Sequence, residues 1–105
     1  MIKKIKRVVV GASVYKVIHT AESIVADREE CYGAHDYEMK MIRVTDLCQV
    51  SNQLKEETLV HEICHAIEDD RRLGLDETQL AGMSAGIYQV LRDNKKLFKA
   101  FTFGK

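Results

Sequence analysis

The stretch Thr58-Leu59-Val60-His61-Glu62-Ile63-Cys64-His65-Ala66-Ile67 decides how the rest of this chain is read. Residues four apart lie on one face of a helix, one turn above the other. At that spacing two imidazoles can converge on one zinc ion, with bonds of about 2.0–2.1 Å. Glu62 follows the first histidine and points beside the metal rather than at it. From there its carboxylate can take a proton from a water on the metal and pass it to a leaving group. The plainer alternative makes both histidines ordinary polar residues and Glu62 a solvated carboxylate. Context favours the metal, because Leu59, Val60, Ile63, Cys64 and Ile67 bury one flank and leave the histidines on an adjacent face.

A catalytic zinc wants a third protein ligand and one open position. Cys64 sits about 100° around the helix from its neighbour His65 and reads as core. Glu77 is the better candidate. If the helix ends near residue 70 and the chain reverses through Leu73-Gly74-Leu75, a second helix runs back alongside, with Glu77 in its first turn. The competing reading is a carboxylate placed there by the helix dipole. Asp76, His35 and Asp69 are the alternative ligands, and Asp69 could instead orient the His65 ring. Tyr88 and His35 are candidates to stabilise a tetrahedral intermediate. Against this, Tyr88 reads equally as a core tyrosine with its hydroxyl at the rim, and His35 as an ordinary strand histidine.

Outward from the motif, Ser51 or Asn52 caps a helix predicted over residues 52–70, with Glu56 and Glu57 near its start. Leu54, Val60, Ile63, Cys64 and Ile67 form its predicted buried stripe, Arg71 and Arg72 suit its end, and Gly74 its exit. The second helix is predicted from Asp76 and Glu77 to about Asp93, with Leu80, Met83, Ile87, Val90 and Leu91 inward. Gly82 and Gly86 lie within it, each costing about 1 kcal/mol of propensity relative to alanine. With Ala81 and Ala85 they predict close approach to the first helix.

Upstream, residues 4–10 and 13–19 are rich in valine and isoleucine around Gly11-Ala12-Ser13 and predict a β-hairpin. Residues 20–30 read as a short helix or a loop. Residues 35–37 and Met41–Thr45 alternate around Glu38-Met39-Lys40 and predict a second hairpin. The fold class is therefore α+β, with a small antiparallel sheet of about four strands packed on the motif helix and a following C-terminal helix. In residues 95–105, four lysines accompany all three phenylalanines, Phe98, Phe101 and Phe103. The phenylalanines are expected to seal an edge of the core while the lysines stay solvated; the alternative is a docking tail.

At 105 residues the chain suits a single domain spanning 1–105. Hydrophobic residues make up 46% and charged residues 30%, which excludes a disordered chain. Sixteen basic residues balance sixteen acidic ones, so bulk charge indicates neither a nucleic-acid nor a membrane partner. Cys31, Cys48 and Cys64 have no recognisable ligand spacing, and their odd number favours a reducing, cytoplasmic setting. Lys3, Lys4, Lys6 and Arg7 before an apolar run imitate a secretion signal, but Gly11 and Lys16 leave that run too short.

The segments Tyr32-Gly33, Met41-Ile42-Arg43-Val44, the motif stretch from Leu59 to Ile67, Leu75-Asp76-Glu77 and Gly86-Ile87-Tyr88-Gln89-Val90-Leu91-Arg92-Asp93-Asn94 together resemble a known group. They are similar to small phage- and prophage-encoded HExxH proteins classed as metallopeptidase-like, distantly akin to the ImmA/IrrE-like group. The resemblance covers roughly two-thirds of the chain, and the motif helix is its specific part. It implies a minimal zincin-like domain in which a small sheet packs on an active-site helix. It also implies His61, His65 and Glu77 as zinc ligands, Glu62 as general base, and a protein or peptide as substrate. In longer relatives more residues separate the second histidine from the glutamate. A non-catalytic, zinc-stabilised protein-binding module of the same fold is the alternative expectation.

Overall fold

The computed structural model describes residues 1–26 and 28–103. After one 3-10 turn at Ile2–Lys4 come strands β1 (Arg7–Val10), β2 (Ser13–Thr20), β3 (Ile24–Ala26), β4 (Glu29–Cys31), β5 (Gly33–Asp36) and β6 (Met41–Thr45). Helices α1 (Asn52–Arg71), α2 (Glu77–Asp93) and α3 (Lys95–Lys99) follow. The class is α+β, a small sheet with two main helices. No helix among the described residues is long and apolar enough to cross a membrane.

Both expected hairpins form, β1 with β2 around Gly11 and β5 with β6. Gly11 takes φ +59°, a conformation that glycine adopts without steric cost. The sheet they build is mixed, not antiparallel as expected, because β2 and β6 pair in parallel with Lys16 opposite Met41 and Thr20 opposite Thr45. Its order is β1-β2-β6-β5, which makes β6 an interior strand and β5 an edge. Alternation inside each hairpin sets its own pairing, whereas the join between hairpins depends on where apolar surface must go. Ile42 and Val44 of β6 are fully buried, and that is met by placing β6 centrally. The described residues of 20–30 carry the ribbon β3–β4 instead of a helix or loop. Asp27 itself lies outside the described residues.

α1 begins where Ser51 Oγ accepts a hydrogen bond from Leu54 N at 3.1 Å, and ends with Arg72 in the left-handed conformation. Leu59 and Ala66 enter the core with Val10, Tyr15, Val17, Ile42 and Val44, and Ile63 and Ile67 pack at its margin. The buried line on α1 is thus Thr58, Leu59, Glu62 and Ala66; Leu54, Val60 and Cys64 are only half-buried. Gly33 on β5 lies so close to α1 that a Cβ there would meet Thr58 Cγ2 at 2.4 Å and Glu62 Cγ at 3.2 Å. The missing side chain lets the edge strand approach the motif helix.

Asp76 and Gln79 form a reciprocal capping box that starts α2. The helix turns Leu80, Ser84 and Tyr88 inward and leaves Met83, Ile87, Val90 and Leu91 exposed, contrary to its apolar periodicity. Nothing lies within 4 Å of a Cβ built on Gly82 or Gly86, so the glycines do not serve close helix packing. The face chosen is the one that carries Glu77, with Ala81, Ser84 and Ala85 along the same cleft wall. Phe101 and Phe103 are exposed and stack edge-on in series with Phe98, so they do not seal the core. Lys105 of the basic tail lies outside the described residues.

Candidate metal centre

α1, α2, β5 and the β3–β4 ribbon line an open cleft of about 900 Å³. Its walls bring together all four residues singled out from the sequence. His61 Nε2 lies 3.2 Å from His65 Nε2 and 3.0 Å from Glu77 Oε1, and His65 Nε2 lies 3.1 Å from Glu77 Oε2. Two nitrogens bound tetrahedrally to one zinc at about 2.0–2.1 Å stand about 3.3–3.4 Å apart. The nitrogen–nitrogen separation here is close to that spacing, and each of the two nitrogens faces one oxygen of the Glu77 carboxylate. The three side chains therefore form a group able to hold a metal ion.

Two features of the surroundings favour metal-ready imidazoles. Ser84 Oγ donates to the Ala81 carbonyl at 3.1 Å, so its oxygen accepts from the His61 Nδ1–H, also at 3.1 Å. That bond places the proton on Nδ1 and aims the Nε2 lone pair at the centre. Burial holds the His65 pKa below the ordinary histidine value, with positively charged His35 acting in the same direction. A neutral imidazole is the form that binds a metal. His65 Nε2, 3.2 Å from His61 Nε2 and 3.1 Å from Glu77 Oε2, completes the group.

Glu62 is buried at 6% exposure and faces the second wall of the cleft. Its Oε1 lies 3.1 Å from His35 Nδ1, while His35 Nε2 faces Asp69 Oδ2 at 3.4 Å. The His35 ring stacks on His65 with centroids 4.5 Å apart. Chiefly through the Glu62 hydrogen bond, and despite burial, the His35 pKa is raised above the ordinary value.

The remaining candidates separate cleanly. Asp76 accepts from the Gln79 backbone N–H as a helix cap and does not line the cleft. Asp69 pairs with His35 rather than orienting His65. Tyr88 does not line the cleft; its hydroxyl donates to Glu56 at 2.6 Å, and that bond pushes its pKa up to about 12. Cys64 stays out of the cleft as expected, with its thiol pKa raised by burial. Cys31, Cys48 and Cys64 are each unpaired. Ser84 was missed from sequence. Its signal is position: seven residues after Glu77, two helical turns along the same face, among the small side chains Ala81 and Ala85.

No protein-family model, curated protein or solved structure matches this chain.

Proposed function

We propose that the chain is a zinc-dependent metallopeptidase-like protein of a minimal zincin-like fold, with His61, His65 and Glu77 as ligands and Glu62 as general base. One observation carries the reading: two imidazole nitrogens and both oxygens of one carboxylate converge within 3.0–3.2 Å on the wall of an open cleft. Bound there, zinc supplies a Lewis acid that polarises a carbonyl and lowers the pKa of its water towards about 7. Glu62 takes the proton from the attacking water and returns it to the leaving amine as the peptide C–N bond breaks. His35 fixes the Glu62 carboxylate through the 3.1 Å contact.

The substrate is an extended peptide segment. β5 is a sheet edge, and its residues Gly33, Ala34 and His35 line the cleft beside the motif helix. An edge strand offers unpaired backbone groups to which such a segment adds as a further strand. This role falls to β5 and not to Met41–Thr45, which is flanked on both sides.

Incubating zinc-loaded protein with a mixed peptide library, and reading cleavage by mass spectrometry, tests the proposal. Wild type cleaves and loses activity with chelator; Glu62→Gln keeps zinc and does not cleave. Folded, zinc-loaded wild type that cleaves nothing would favour the binding-module alternative. The contact that already occupies one Glu62 oxygen is the observation on that side.

A further inference from the structure

Beyond the His61–His65–Glu77 triad, the cleft holds a second set of ligand atoms. One donor atom from each of His35, Glu62 and His65 lies within 4.8 Å of the others. The His65 Nε2 is committed to the first triad, 3.2 Å from His61 and 3.1 Å from Glu77. What remains is His35 Nδ1 facing the Glu62 carboxylate at 3.1 Å. Asp69 stands 3.4 Å from the opposite nitrogen of the same ring and favours a proton on Nε2. A carboxylate behind the far nitrogen of a histidine is the usual support of a metal-binding imidazole.

Charge points the same way. The proton that His35 Nδ1 shares with Glu62 is the group a cation displaces: a metal ion between nitrogen and carboxylate takes the same place in the contact. Glu62 is 6% exposed, so water compensates its charge poorly. An ion in the first triad is offset by Glu77 alone, which leaves Glu62 and Asp69 as two further carboxylates beside the stacked rings of His35 and His65.

We propose that His35 Nδ1 and Glu62 form a second, weaker divalent-cation position beside the first, and that zinc bound there ties up the Glu62 carboxylate. Water completes its coordination, since the protein gives it two direct ligands against three for the first position. Zinc at low concentration fills the triad; excess zinc occupies the base and stops proton transfer. The inhibition rests on the proposed hydrolytic reading, whereas the second binding position does not.

The test is titration of metal-free protein with zinc against a chromogenic zinc indicator, with elemental analysis of the loaded samples. Wild type takes up a tight and then a weaker equivalent. His35→Ala and Glu62→Gln lose the weaker one and keep the tight one, and Asp69→Asn weakens it about 10- to 100-fold. His35→Asn retains a hydrogen-bonding side chain but is a poor zinc ligand, and it serves if His35→Ala unfolds. Saturation of wild type at one equivalent overturns the proposal. So does a second equivalent that persists in both His35→Asn and Glu62→Gln. A missing tight equivalent beside a His35-dependent one would sink the hydrolytic reading and leave this site standing.

Discussion

Replacing Gly33 by alanine tests how the edge strand is held against the motif helix. A Cβ at this position comes within 2.4 Å of Thr58 Cγ2, 1.0 Å short of the 3.4 Å where ordinary contact begins. Thr58 cannot swing aside cheaply, because its hydroxyl donates to the Leu54 carbonyl at 2.7 Å and β-branching limits its rotamers. Glu62 Cγ, one turn further along the same helix, stands 3.2 Å away, so a shift between β5 and α1 also disturbs the base. Overpacking of this kind costs about 1–3 kcal/mol. For a domain of this size each kcal/mol lowers the melting temperature by roughly 4–8 °C. Thr58→Ser removes the offending methyl and keeps the hydroxyl, so Gly33→Ala/Thr58→Ser should recover much of the loss. Melting of the four proteins in the cycle, followed by circular dichroism, reads both effects. A Gly33→Ala protein that melts with wild type would refute the close approach, and strictly additive single changes would refute Thr58 as its cause.

Two further outcomes are expected. Ser84→Ala removes the acceptor that holds the His61 tautomer, so affinity for the first zinc should fall about 10- to 100-fold, measured by chelator competition. Unchanged affinity in a folded variant would contradict the role given to Ser84. Tyr88 should ionise near 12 rather than about 10, because its neutral form donates to Glu56. The stability from this bond is complete below about pH 10 and is lost as pH rises towards 12. Comparing tyrosinate absorbance of wild type and Tyr88→Phe should remove a late-titrating component; loss of one near 10 would contradict the contact.

Local signals in the sequence carried the two hairpins, the two main helices and most of the candidate site, but not the β3–β4 ribbon or α3. Ser51, Asp76 and Gly11 mark boundaries because caps and turns are settled by a few neighbouring residues. The spacing of His61 and His65 sets their common face whatever surrounds the helix. Glu77 was legible once the reversal after Arg72 was assumed, and the capping box at Asp76 fixes where that first turn begins. Long-range choices were not legible. Parallel pairing of β2 with β6 depends on burying Ile42 and Val44 from both sides, which no hairpin pattern encodes. The orientation of α2 followed Glu77, Ser84 and Tyr88 in place of Met83, Ile87 and Val90, because contacts across to α1 outweighed the helix's own apolar stripe. His35 looked like an ordinary strand histidine because its partners, Glu62 and Asp69, are distant in sequence.

The most direct test of the metal centre is elemental analysis of protein freed of loosely held metal, wild type beside His65→Ala and Glu77→Ala. The account predicts about one tightly held zinc per chain in wild type, absent in folded His65→Ala and sharply reduced in Glu77→Ala. Wild-type protein that carries no metal, and takes up none from added zinc, would contradict it.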